Sequence, residues 1–361
     1  MIKFNRLIAA LAAISISLPA FADTEHGTAS GPRPDSHAPI SVMGEHIHKK
    51  GEWMLSYRFM RMDMSGNRSG TDSISPEQIA TTVPNRFFGR PGQPPTLRVV
   101  PTEMTMDMHM FGFMYAPADW VTMMVMGNYI EKEMDHITFA GGMGTQRLGT
   151  FTTRSSGLGD SSISALVRLF EKDTQSIHAT LGLELPTGSN TERDQILTPM
   201  GTRPSPRLPY PMQLGSGSVS AIIGLTHNWH KARFSGGSQW RSLVRLNEND
   251  QDYTLGDEHR ITGWGAWRFA PRLSASVRLE GFRRGNIDGI DPNIVAPVQT
   301  ADPDNQKVRR LDFGLGLNFA ASGALAGHRL ALEWLKPVYQ KLDGPQLETD
   351  WMITAGWQFA F

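Results

Sequence analysis

The stretch Trp351-Met352-Ile353-Thr354-Ala355-Gly356-Trp357-Gln358-Phe359-Ala360-Phe361 decides how the whole chain is read. In an extended strand successive side chains point to opposite faces. Trp351, Ile353, Ala355, Trp357, Phe359 and Phe361 therefore share one side, and Met352, Thr354, Gly356, Gln358 and Ala360 the other. One face is bulky and apolar, the other small and mixed, as in a sheet with hydrocarbon on one side and a polar space on the other.

The same alternation recurs upstream, and prolines mark its limits, because proline cannot donate to a sheet ladder and stays out of central strands. Between Met104 and Leu185 the single proline is Pro117, and between Met212 and Asp291 it is Pro271; both fall at short turns. Other prolines crowd into Pro76 to Pro101, Pro186 to Pro211 and Pro292 to Pro303, which read as loops. About twelve strands are predicted, near 53–62, 104–115, 121–131, 155–170, 177–185, 214–229, 233–246, 258–269, 273–283, 307–319, 328–336 and 348–361. Long connections alternate with short ones near 116–120, 171–176, 230–231, 270–272 and 320–327.

One parity of these strands is almost free of charge, as in Ile163, Ala165, Val167 and Leu169, or Leu311, Phe313, Leu315 and Leu317. The other parity carries Arg168, Glu184, Arg241, Arg245, Arg260, Arg268, Arg278, Glu280, Arg310, Asp312, Arg329 and Glu333. A charge facing lipid at mid-bilayer costs about 2–4 kcal/mol, so these side chains must face a polar interior. Alternating short turns and long loops, with aromatic residues such as Tyr115, Trp120, Trp229 and Trp267 beside the short turns, complete the pattern. The predicted fold is an all-β transmembrane antiparallel β-barrel of about twelve strands, spanning 51–361 in the outer membrane of a Gram-negative bacterium.

The first residues fit that location. Lys3 and Arg6 precede an apolar run from Leu7 to Leu18 and the small-x-small site Ala20-Phe21-Ala22, so 1–22 reads as a signal peptide. Residues 23–50, rich in Gly, Pro, Ser and His, read as a flexible periplasmic lead-in with little fixed structure. The absence of cysteine excludes disulfides and thiolate metal sites, and 35 basic against 35 acidic side chains point to no polyanion or nucleic-acid partner. The expected partners are outer-membrane lipid, the barrel-assembly machinery and a small-molecule solute.

The inward parity holds eight basic and four acidic residues in the set above, and Arg58 is expected to join them where first and last strands meet. An excess of positive charge favours anionic solutes, whereas pairing across strands would merely fill the barrel. Methionine is the oddity: fifteen of nineteen lie between Met43 and Met143. Thioether and imidazole ligands suit Cu(I), which makes Met60, Met62, Met64, Met124, Met126, His46 and His48 candidate copper ligands; otherwise no cofactor is expected. The plainer expectation has Asp107 and His109 pointing inward, so that Met104, Met106, Met108 and Met110 face lipid as apolar filler. Serine-hydrolase, zinc-protease and phosphate-loop motifs are missing, and no enzymatic activity is expected.

Gly157-Leu-Gly-Asp160 with the following Ser-Ile-Ser-Ala-Leu-Val-Arg-Leu, Leu181-Gly-Leu-Glu-Leu-Pro-Thr-Gly188, and Leu208-Pro-Tyr-Pro-Met-Gln-Leu-Gly-Ser-Gly217 resemble an outer-membrane transporter family of the phenol-degradation meta-pathway. The resemblance implies a barrel that admits small compounds, aromatic ones included. The expected function is a channel or transporter for uptake or efflux of a small aromatic or carboxylate solute; the alternative is a Met/His-rich copper-binding protein. Within the motifs, Pro186 ends a strand, Gly188 is expected to supply the positive φ of a turn, and Gly215 and Gly217 to permit close approach of an inward-folded loop.

Overall fold

The alternating stretches form twelve long strands: β1 (Trp53–Gly70), β2 (Val99–Ala118), β3 (Val121–Phe139), β4 (Arg147–Leu158), β5 (Ser161–Lys172), β6 (Gln175–Leu185), β7 (Ser220–Lys231), β8 (Phe234–Arg245), β9 (Glu258–Ala270), β10 (Leu273–Arg284), β11 (Val308–Ala320) and β12 (His328–Ala360). The computed structural model describes residues 33–361, so the predicted signal peptide and the first part of the lead-in lie outside the described residues. Chain neighbours pair antiparallel, and β12 returns to pair with β1, closing an eleven-strand ring with β4 beside it on β3.

Two features reconcile that ring with the predicted count. β4 and β5 share one place in the wall, since β4 pairs with Tyr129–Phe139 of β3 and β5 with Val121–Met126. β12, at 33 residues, is far longer than a bilayer needs. Its first half pairs with β11 and its second half with β1. Gln340 bonds Thr349 and the Trp357 indole bonds His328, contacts centred on Gly344, which has φ +69°. β12 is thus a hairpin filling two places, and the wall has an even number of staves with no open seam between β1 and β12.

Outward residues are apolar and exposed: Ile261 is 66 % exposed and Leu279 53 %, against 3 % for Arg278 and 1 % for Glu333 inside. The wall's buried face is therefore polar, as a lumen requires. The methionines overturn one expectation. Buried Arg58 lies opposite Met110 in register, and Met60, Met62 and Met64 lie opposite Met108, Met106 and Met104, so that series faces the lumen. Asp107 and His109 are on the outer face, where Asp107 meets Arg61 at 3.4 Å and His109 accepts or donates to the Tyr57 hydroxyl at 2.8 Å. Mutual pairing is what lets these polar groups sit on the outer side.

The long loops cap one end. Helix α1 (Pro76–Thr82) starts at a capping box between Ser75 and Gln78 and packs Ile79 and Ala80 against Leu97, Val100, Ile137 and Phe139. A second apolar cluster joins Tyr210, Tyr253, Ile294 and Val298 from three loops. The 186–213 loop folds inward, and Lys132 Nζ donates to the carbonyls of Pro211 at 2.8 Å and Gln213 at 2.6 Å. Gly188 has no positive φ; a Cβ there would lie 2.8 Å from Gly215 Cα, so close backbone approach, not turn geometry, requires glycine.

The lead-in departs most from expectation. From Arg33 it enters at the short-turn end, rises inside the barrel to about Ser41, and descends to Lys50 before β1 begins. Far from lacking structure, Pro34, Ala38, Ile40, Val42 and Glu45 are buried. Sparse apolar residues without a period gave no strand or helix signal, yet the lumen wall supplies the hydrogen bonds that such a segment cannot make with itself.

Candidate functional site: the lumen, its plug and its charged row

Residues 33–50 form a plug whose backbone is held by wall side chains. Ser274 donates to the Pro34 carbonyl at 2.9 Å, Arg329 to Ala38 at 2.7 Å, Gln239 to Met43 at 2.9 Å, Asn228 to Glu45 at 2.7 Å, and His178 Nε2 lies 2.9 Å from the Gly44 carbonyl. In the other direction Ser41 N donates to Glu333 at 2.9 Å and His48 N to Thr122 at 2.9 Å. Apolar seating adds to this: Met43 and Ile47 pack on Met54, Met114, Met124, Met126 and Leu166. Gly356 faces Ile40, where an added Cβ would sit 2.7 Å from Ile40 Cγ1.

Above the plug, strand register builds a row around the wall. Arg241 lies opposite Arg260, Arg260 opposite Phe282, Phe282 opposite Arg310, and Arg310 opposite Gln340. Across the β12–β1 closure the row continues as Thr349, Met64, Met104 and Met134. The guanidiniums of Arg260 and Arg310 sit 4.2 and 5.4 Å from the Phe282 ring centroid, a cationic and aromatic arc, whereas Met104 and Met134 of the thioether arc are buried under Leu208 and Met212 of the inward loop. The two arcs are on opposite sides because β1–β3 and β8–β11 are half a circuit apart in strand order.

The predicted lumen residues divide between these levels. Arg58, Arg268, Arg329 and Glu333 attend the plug: Arg58 Nη1 is 2.7 Å from Met43 Sδ, and Arg268 is 3.9 Å from Asp35. Arg168 sits at the short-turn rim paired with Glu171. Arg245 pairs with Glu184 at 2.8 Å, Arg310 with Asp312 at 2.8 Å, and Arg278 with Glu280 at 2.8 Å and Glu333 at 2.6 Å; Arg260 pairs with Glu280 at 2.9 Å. Pairing is thus the rule, and Arg241, with no ion pair among the described residues, carries unpaired positive charge into the row. Sequence reasoning missed Phe282, Glu258 and Arg284, whose inward parity was visible at the strand ends, and the plug's His37 and Glu45, for which no signal existed.

The predicted copper ligands are not gathered at one point. Met124 and Met126 join Met54 and Met114 beside the plug, Met64 joins Met104 and Met134 under the outer loop, and Met60 and Met62 lie between. His46 and His48 belong to the plug, with Nε2 atoms 3.2 Å apart. Burial pushes His37 and His48 down to about 4, leaving neutral rings. Burial would raise Glu45, but His46 and His37 beside it hold its carboxyl well below the usual range.

A closed barrel with a polar lumen, an inner plug and an outer cap is the architecture of an outer-membrane channel. Residues 88–334 match the sequence model of the family described as "Putative MetA-pathway of phenol degradation", and the chain belongs to that family. Among solved structures, an outer membrane channel from Pseudomonas putida F1 is similar with a TM-score of 0.57 at 13 % identity, covering 89 % of this chain and 100 % of that one. The β domain of the Bordetella autotransporter BrkA (TM-score 0.44, 10 % identity, 86 % and 100 % covered) and the monoaromatic hydrocarbon channel TodX (0.41, 9 %, 92 % and 92 %) are more distant, and their scores carry no argument. No curated protein matches the chain. The fold is that of an outer-membrane β-barrel.

Proposed function

We propose that the chain passes small aromatic or apolar carboxylates across the outer membrane, acting as a channel without chemistry of its own. The observation that carries this reading is the inward row of Arg260, Phe282 and Arg310, with the half-buried Met60, Met62, Met106 and Met108 on the inward face of β1 and β2, half a circuit away. Arginine offers paired donors to a carboxylate, and methionine and phenylalanine offer polarizable contact to a ring. Liposomes loaded with the purified barrel test it: benzoate should enter faster than an uncharged sugar of similar size. The Arg260→Gln/Arg310→Gln double variant should lose that preference. Equal entry of both solutes through the wild type would defeat the proposal.

A second reading, capture of Cu(I), is favoured by one cavity of about 10 Å3, room for a water-sized sphere, lined by Glu45, His46, Met54, Met114, Met124 and Met126. A Cu(I) titration that left the Met54→Leu/Met124→Leu variant unchanged would dismiss it.

A further inference from the structure

The plug carries a cluster that solute passage does not use. His37 lies on its inbound limb, and Glu45, His46 and His48 on its outbound limb. One ligand atom from each of His37, Glu45 and His46 falls within 4.8 Å of the others. His37 Nδ1 and His46 Nδ1 are each 2.9 Å from Glu45 Oε1, and the His46 ring is edge-on to both His37 and His48 at 4.9 and 4.7 Å between centroids. The 2.9 Å contact of His46 Nδ1 is misaligned for a hydrogen bond: that nitrogen and Glu45 Oε2 are buried without a hydrogen-bond partner. Buried polar atoms normally find partners, and two orphans in one cluster of nitrogen and carboxylate donors point to a missing one.

We propose that His37, Glu45 and His46 bind one divalent transition-metal ion of the Zn(II) class, with water completing its coordination, and that the ion ties the two limbs of the plug together. Two imidazoles and a carboxylate are the donor set of such ions, not of Ca(II) or Mg(II), which take oxygen. Thioethers are not needed, so the site differs in its donors from Cu(I) capture on the methionine wall, although Glu45 and His46 border both. Access comes from the short-turn end, where a cavity of about 140 Å3 lined by His46, Asp35, Arg168 and His178 adjoins the plug. Arg329, 3.7 Å from Glu45 Oε1, opposes a cation there, but it is held by Ala38, Asn318 and Gln358. Because His37 and His46 stand on opposite limbs, an ion shared by them fixes the plug in its seated form. This inference is independent of the solute.

Purified barrel in detergent, stripped with chelator, is titrated with Co(II) as a spectroscopic probe and then with Zn(II). The expected result is one Co(II) per chain with d–d absorption of a four- or five-coordinate nitrogen and oxygen site, displaced by Zn(II). The His37→Gln/His46→Gln variant, whose barrel folding is checked by heat-modifiable electrophoretic migration, should lose that spectrum. In planar bilayers Zn(II) added at the short-turn side should reduce the frequency of openings in the wild type at least tenfold, reversed by EDTA, and leave the variant unaffected. No Co(II) spectrum in the wild type, the same spectrum in the folded variant, or bound Zn(II) without an effect on openings would each overturn the proposal.

Discussion

Replacing Ile40 by alanine isolates the seat of the plug from the wall around it. Ile40 is 2 % exposed and packs against Gly356 of the last strand, in space that glycine leaves for it. Removing buried methyl and methylene groups of isoleucine costs about 2–5 kcal/mol. That cost falls on the seated state alone, because an unseated plug holds the side chain in water. Divided by the thermal energy, it raises the unseated fraction about 30-fold to several-thousand-fold. The hydrogen bonds from Arg329, Gln239, His178 and Asn228 to the plug backbone remain, each worth about 0.5–1.5 kcal/mol or somewhat more where charged, so seating is weakened and not abolished. Single-channel recording in planar bilayers is the direct assay: brief rare openings in the wild type should become frequent while open conductance stays the same. Unchanged open probability in an Ile40→Ala barrel of normal heat-modifiable migration would refute the claim that residues 33–50 govern passage.

Gly356→Ala should act from the other side of the same contact, since its Cβ would stand 2.7 Å from Ile40 Cγ1 and 2.9 Å from its Cδ1; openings should rise, and pairing the change with Ile40→Ala should relieve part of the effect. Glu333→Ala leaves Arg278, 3 % exposed, with Glu280 as its remaining acidic partner and strips Ser41 N of its acceptor, so thermal unfolding should reveal a loss of about 3–5 kcal/mol, and an unchanged transition would contradict the buried ladder. Burial raises the Tyr210 and Tyr253 hydroxyls in the outer cap above the ordinary tyrosine value of about 10. The folded cap favours their neutral form, so its stability is complete below that pH and falls as the pH climbs beyond it. Tyrosinate absorbance should show two of the six tyrosines ionising late, together with loosening of the cap; a single common transition would count against it.

The wall was legible because lipid and water enforce a period of two on every stave, and proline is banned from the ladder. Ile261 outside and Arg278 inside could be assigned by parity alone. Two other matters were not. The sequence rule that polar residues face inward places Asp107 and His109 in the lumen and turns the methionines of β2 to lipid. Parity within one strand cannot say which face is which when the outer side also holds an ion pair, and only the register with Arg58 settles it. The plug was illegible for a different reason: its hydrogen-bond partners are Arg329, Gln239, His178 and Asn228, more than a hundred residues away, and its own sequence resembles a disordered tail. The charged lumen was visible as a set of residues, but their division into plug holders and a row above it depends on where the plug ends.

That division links gating to selectivity. The plug brings Asp35 and Glu45 into the lumen, where Arg268 and Arg329 stand 3.9 and 3.7 Å from their oxygens. Should the segment withdraw, Asp35 leaves together with its own ion-pair partner Arg33, 2.6 Å away, and Glu45 leaves uncompensated, while Arg58, Arg268 and Arg329 remain on the wall. Glu333, which now accepts from both Ser41 N and Arg278, keeps only the latter. The vestibule therefore gains net positive charge at the moment it opens, adding to the unpaired Arg241 above it. Charges in a narrow low-dielectric passage act over distances at which water would screen them, so an open pore should select anions more sharply than the charge balance of the closed barrel suggests. The plug, on this argument, is a counterion as well as a stopper: it neutralises the wall while seated and exposes the field that draws a carboxylate once it moves.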